Sequence, residues 1–292
     1  MISLLIGNGV VAGAIYALIA LGFSVIYQTV KFFHFAHGVV YATGAYLAYS
    51  LVVLAGLNPV ASFFFSVVLA GLIGVGIERL VYFPLRRQHA PNLVFLIASF
   101  GVFVFLQNLL QLVYGAQILT LRTGPVKPGH QVFGAVITDT QLLILGSSLA
   151  LTVVLWLVVS HTKLGKAVRA VSDDRVAASV CGIYPEKVIQ SSFFIGSALA
   201  GAAGILISLE TNIEPTMGMS AILKGIIASI IGGIGSIPGA LAGGLFLGIA
   251  ENIGIWKIPA GWKDCIAFVI LIVFLVFKPG GLFGASSNKT GM

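Results

Sequence analysis

Long apolar runs separated by short polar connections set the pattern of this chain. A helix needs about 20 mostly apolar residues to cross roughly 30 Å of hydrocarbon, and on that length criterion about eight segments qualify. They cover residues 4–26, 36–55, 60–82, 93–113, 142–159, 188–209, 223–249 and 265–277. None alternates polar and apolar positions, which excludes the strands of a β-barrel. The pattern predicts an all-α, polytopic transmembrane helical bundle, with a single membrane domain over residues 1–292. No Lys or Arg precedes the first run, and it is longer than a signal-peptide core, so it is expected to stay as a spanning helix.

Basic residues orient the bundle. The connection after the third span carries Arg86 and Arg87, with Arg79 just before it. The longest charged loop, residues 161–187, carries Lys163, Lys166, Arg169, Arg175 and Lys187. Both belong on the cytoplasmic side by the positive-inside rule. Counting spans from there places Lys31, Lys257 and Lys263 inside as well. Loops 115–140 and 210–222 then fall outside, and so does the C-terminus, despite Lys278 and Lys289. An extra crossing within 223–249 would reverse that last assignment.

Composition narrows the class. Of 292 residues, 58% are hydrophobic and only 9% charged, against about 25% charged in soluble domains. The net charge of +7 sits in short loops, a membrane-protein pattern and not a nucleic-acid footprint. Cys181 and Cys265 lie far apart without metal-like spacing and read as small buried hydrophobes. No hydrolytic triad, zinc site or nucleotide-binding motif is present, so no ATP hydrolysis, metal or cofactor is expected of this chain.

Residues 163–187 are the one charged segment long enough for organised structure. Ser172 is the N-cap candidate, and Asp173 and Asp174 fall in the first turn, where carboxylates favour the helix dipole. Gly182 fits the C′ position, with Pro185 shortly after. Between them Asp173, Val176, Ala177, Val180 and Cys181 share one face by their spacing, with Arg175 beside them. The result is a small apolar knob with a charged start. It either rests on anionic lipid or docks into a soluble motor; the small residues Ala177, Ala178 and Ser179 favour docking.

The chain holds 36 glycines. Gly196, Ala200 and Gly204, and likewise Ala240, Gly244 and Gly248, repeat every four residues, a spacing that lets helix backbones approach. The run Gly232-Gly233-Ile234-Gly235-Ser236-Ile237-Pro238-Gly239 is expected to interrupt a spanning helix near mid-membrane. Broken helices at depth are tolerated where the freed backbone faces protein or a water-filled path. A new half-helix starting near Ser236 would offer its positive end to a substrate carboxylate. That makes Gly232, Gly233, Gly235 and Ser236 candidates for the path, with a packed hinge as the competing reading. Glu78 and Arg79 are expected to face headgroups at an inner span end. Tyr16, Gln107, Asn108, Gln111 and Asn252 read as interhelix hydrogen-bonding groups, and His34 and His37 as structural. No Asp or Glu is expected at mid-depth, which argues against a proton-coupled carrier.

Four blocks carry a family resemblance: residues 164–183 (LGKAVRAVSDDRVAASVCGI), residues 231–240 (IGGIGSIPGA) with Gly243, Gly244 and Glu251, residues 278–284 (KPGGLFG), and Phe35-Ala36-His37-Gly38 with Gly44-Ala45-Tyr46. Through nearly its whole length the chain resembles the permease subunits of branched-chain and neutral amino acid ABC importers. The resemblance implies a second homologous permease subunit, two ATP-binding subunits and a periplasmic solute-binding protein, assembled in the bacterial inner membrane. It makes the helix from Ser172 to Gly182 the coupling element, and implies alternating access between two permeases. Loops such as 115–140 would receive the binding protein. His34 stands where the family usually has Asn, and Val39 where an acidic residue is common. Related permeases move urea or short amides, so that substrate class stays open, as does a stand-alone channel or ion-coupled carrier.

Overall fold

A computed structural model describes residues 2–122, 129–132, 135–257 and 259–283. Its helices are α1 (Ile2–Val30), α2 (Ala36–Tyr49), α3 (Pro59–Ile77), α4 (Phe83–Arg87), α5 (Asn92–Tyr114), α6 (Asp139–His161), α7 (Lys163–Asp173), α8 (Arg175–Val180), α9 (Pro185–Ser208), α10 (Met217–Gly232), α11 (Ile237–Gly254) and α12 (Lys263–Phe277). A short antiparallel hairpin, β1 (His130–Val132) and β2 (Ala135–Ile137), lies in the connection before α6. Among the described residues seven helices are long and apolar enough to cross a membrane. The apolar α10 and α12, of 16 and 15 residues, are shorter.

Two π-helical segments extend α2 and α3. The second, Glu78–Tyr82, runs directly into α4. There the Phe83 N–H reaches back to the Glu78 carbonyl, a widened turn that accommodates Pro84, which has no N–H to give. α3, the π segment and α4 therefore act as one long rod.

The two ends of the bundle are defined by contacts along α1. At its start, Asn8 accepts from Gln141 Nε2 at 3.3 Å, and Gln141 also donates to Glu210 at 2.8 Å. This end joins α1 to the start of α6 and the end of α9. At the other end, Lys31 Nζ donates to Ser172 Oγ at 3.1 Å and Arg175 donates to the Thr29 carbonyl. That end carries α7, α8 and most of the basic residues, and is the inner end by the positive-inside rule.

Glycine packing builds the centre. A Cβ on Gly22 would fall 2.6 Å from the Gly196 carbonyl oxygen, and a Cβ on Gly196 2.6 Å from that of Gly22. Gly38, at the start of α2, and Gly218, at the start of α10, exclude each other's Cβ in the same reciprocal way. α3 packs on α9 through Gly71 and Gly74, while α11 packs on α1 through Gly244 and Gly248. The contacts of α1, α2 and α3 are thus mirrored by those of α9, α10 and α11, and the two groups run in opposite directions. The small-residue stripes at 196–204 and 240–248 are the surfaces of this seam. Outside it, α5, α6 and α12 expose Leu, Ile, Val and Phe along most of their length, as a lipid-facing ring requires.

Several expectations change. The single broken span over 223–249 is two helices folded back on each other: α10 and α11 are antiparallel, with Gly232 against Gly239 and Ala228 against Gly243. Only residues 233–236 separate them, so the apolar run reads as continuous in sequence. The extra crossing reverses everything after it. The 255–262 connection with Lys257, and Lys263 at the start of α12, lie at the outer end, and the chain after α12 returns inward. There Leu282 N–H donates to the Ile231 carbonyl at 2.8 Å and Phe283 N–H to that of Gly232 at 3.0 Å. Cys181 and Cys265 are exposed and not buried, because both sit on helix faces turned away from the core.

Candidate functional site

The inner face is built by α7 and α8. Thr162 caps α7, accepting from Gly165 N–H at 3.3 Å. α7 then buries Val168 and Val171 against Ala178 and Val188. The expected single helix starting at Ser172 is split: α7 continues through Asp173, and Asp174 leaves the helical region at φ −150° and ψ 118°. Asp174, not Ser172, is the N-cap. Its Oδ1 accepts from Val176 N–H at 2.7 Å and Ala177 N–H at 3.1 Å. A carboxylate in this position both satisfies free donors and meets the helix dipole. Ser172 instead tethers Lys31 on the α1–α2 connection. Asp173 is exposed.

α8 ends as the sequence predicts. Gly182 takes φ +80°, with Gly182 N–H on the Ser179 carbonyl and Ile183 N–H on that of Ala178, both at 3.0 Å. This is a Schellman closure. Ala178 turns to the bundle, while Val176 and Val180 are 72% and 83% exposed, beside exposed Ala177, Cys181 and Tyr184. An apolar knob thus protrudes from the most charged end of the molecule. Arg175 anchors it to the last turn of α1. Burial lowers the Arg175 pKa from its ordinary value, and nearby Arg86 lowers it further against the opposing pull of Glu186.

A second anchor is an ion-pair cluster. Arg86 on α4 bonds Glu78, and also reaches Glu186 Oε2, in the first turn of α9, at 2.8 Å. Glu78 is fully buried and does not face headgroups as expected; the π segment turns it inward while Arg79 stays exposed. The chain that leaves the knob is therefore clamped at once to the α3–α4 rod.

The outer half holds the counterpart. Glu251 on α11 is fully buried and accepts from Tyr16 Oη at 2.9 Å and Lys224 Nζ at 3.3 Å. Lys224 also reaches Tyr16 Oη at 3.2 Å and Asp264 Oδ1 at 3.2 Å. The expectation placed no Asp or Glu at mid-depth; Glu251 and Glu78 lie toward helix ends, but buried inside the bundle and not at headgroups. Each sits near the end of the third helix of its group, against the first helix of the other. Of the other polar groups, Asn252 accepts from Lys263 Nζ on α12 at 3.4 Å, an interhelix bond as expected, and also donates to Gly248 of its own helix, while Asn108 bonds its own helix at Val104. His34 is buried with Nδ1 2.9 Å from Tyr82 Oη, and His37 is buried against Gly22.

The Gly232–Ser236 turn lies at the inner end and not at mid-depth, since α10 and α11 meet there as a hairpin. Gly233 and Gly235 take φ +100° and +94°, a region that favours glycine. Ser236 caps α11, accepting from Gly239 N–H at 3.1 Å, so the new helix does start where the sequence places it. Gln28 Nε2 donates to the Gly235 carbonyl, fixing the turn to α1 one step from Thr29, where Arg175 is held.

Known proteins resemble the chain over most of its length. Residues 5–275 match the family of branched-chain amino acid transport system permease components. The high-affinity branched-chain amino acid transport system permease protein BraD of Pseudomonas aeruginosa is 37% identical, over 95% of this chain and 94% of its own. LivH of Escherichia coli, a permease protein of the same description, is 36% identical over 95% and 94%. A probable LivH permease of Methanocaldococcus jannaschii is 28% identical over 98% and 94%. The glycine-seamed bundle, its buried ion pairs and the knob at its inner end are thus the architecture of a chain that belongs to the branched-chain amino acid transport permease family.

Proposed function

We propose that this chain is the membrane permease subunit of an ATP-binding-cassette importer that moves neutral, including branched-chain, amino acids across the bacterial inner membrane. It works with a second homologous permease, two ATP-binding subunits and a periplasmic solute-binding protein. The observation that carries this reading is the exposed Val176 and Val180 face of α8, presented on a helix rigidly tied to α1 by Arg175 and to α3–α4 through Glu186 and Arg86. An apolar knob on a stiff mount transmits force; a helix meant only to rest on lipid needs no such mount. Ser172, Asp173, Asp174 and Gly182 shape the knob, and Val176, Ala177 and Val180 contact the motor. The Gly232–Ser236 turn, fixed to α1 beside the Arg175 anchor, moves with it at the inner end of the path.

Reconstitution in proteoliposomes with the partner permease, ATP-binding subunits and binding protein tests the proposal. Leucine uptake is expected only with all components and ATP. Uptake by the lone chain without ATP would replace the reading with a channel or carrier, and urea uptake in place of leucine would change the substrate class.

A further inference from the structure

Lys224 and Asp264 present a physical problem that the bundle alone does not solve. Lys224 sits halfway along α10, and Asp264 at the start of α12 has a 63% exposed side chain. Between them lies a shallow dent walled by Ser220, Leu223, Ile227, Ala267 and Phe268. On the same α12, Val269, Ile272 and Val276 form a bare apolar stripe, 55%, 60% and 68% exposed, suited to lipid. Ionised groups within the spans face a bundle interior or a water-filled cavity, because hydrocarbon makes their exposure costly. Asp264 follows the outer connection and sits at the membrane edge, but Lys224, halfway along α10, is still 14% exposed at this dent, which sets the dent, unlike the apolar stripe of α12, apart from lipid.

The charges also have a direction. Behind Lys224, fully buried Glu251 and Tyr16 hold the ammonium by its other side. With Lys224 so supported, the 3.2 Å Lys224–Asp264 pair can be opened by a ligand that brings both charges itself, without leaving either residue uncompensated.

We propose that the α10–α12 face lines the translocation path as one half of a site completed by the partner permease. There the carboxylate of a zwitterionic amino acid replaces Asp264 on Lys224, its ammonium takes Asp264, and its side chain lies on Leu223, Ile227 and Phe268. This rests on the importer reading above and adds where the substrate meets this chain. Selection of the amino acid by its two backbone charges, with a merely apolar wall for the side chain, fits a route shared by several neutral amino acids.

The test uses the complete importer with Cys181→Ser and Cys265→Ser, and Ser220→Cys or Phe268→Cys introduced singly. Binding-protein-stimulated ATP hydrolysis reports that each complex is assembled and coupled, so loss of that signal in the parent complex would mark failure of the importer reading and not of this one. Both cysteines are expected to react with a charged, water-soluble methanethiosulfonate, severalfold more slowly when leucine-loaded binding protein and ATP are present. Asp264→Asn, which removes the charge that takes the substrate ammonium, is expected to lower leucine uptake by about tenfold, while stimulated ATP hydrolysis persists. Cysteines that do not react, a reaction indifferent to leucine, or undiminished uptake by Asp264→Asn would each overturn the proposal.

Discussion

Glu78 and Glu251 show what single residues do in this molecule. Each is fully buried and held by one cation, Arg86 or Lys224. Removing one partner of a buried pair leaves a charge without compensation, at about 3–5 kcal/mol, whereas replacing both by apolar groups is often neutral. Arg86→Gln is therefore expected to lower the thermal stability of the purified protein markedly, and Glu78→Gln with Arg86→Met much less. Equal losses from the single and double variants would contradict the pairing. Glycines give a second contrast. Gly22→Val and Gly196→Val push a side chain into the facing backbone and are expected to destabilise by at least about 1–3 kcal/mol. Gly76→Ala and Gly101→Ala meet nothing within 4 Å, so they are expected to be neutral or slightly stabilising in the same melting assay. The glycine stripes at 196–204 and 240–248 were legible in sequence because spacing alone marks a helix seam. The buried carboxylates were not: Glu251 acquires its partners only when α1, α10 and α11 come together, and a lone Glu near the end of an apolar run looks like a headgroup contact.

Helices follow a similar division. Apolar length located most crossings, since a buried or lipid-facing helix has no other way to satisfy its backbone at depth. It failed at α10–α11, where a four-residue turn between two adjacent helices interrupts neither the hydropathy nor the small-residue pattern. The helical structure of residues 163–187 was legible in outline and misread in detail. Ser172 and Asp174 are both good caps by type, and the choice between them is made by Lys31, which takes the serine, and by the bend at Asp174. Asp174→Ala is expected to destabilise α8 by about 1 kcal/mol, visible as faster amide hydrogen exchange at Val176 and Ala177. Ser172→Ala should leave that exchange unchanged, and protection lost in both variants alike would restore Ser172 as the cap.

For the whole molecule, the extra crossing decides orientation. It brings the 233–236 turn, the residues after α12 and helices α7 and α8 to one end, and the 255–262 connection with Trp256 and Trp262 to the other. In a Cys181→Ser, Cys265→Ser background, a membrane-impermeant maleimide added to intact cells with a permeable outer membrane is expected to label Trp262→Cys. It should reach Phe283→Cys only after the inner membrane is opened. The reverse pattern would restore the single-span reading of 223–249. With that geometry the molecule is a pair of mirrored helix groups, seamed by glycine, fastened by one ion-pair cluster in each half, and carrying an exposed apolar knob at its inner end. Force applied to α8 reaches α1 through Arg175 and α3 through Arg86, and so moves both groups. The measurement that tests this most directly is a cross-link from Val180→Cys in the assembled complex. The account predicts an adduct with an ATP-binding subunit whose yield changes between ATP-bound and nucleotide-free states; an adduct with lipid alone, or with a protein on the outer side, would contradict it.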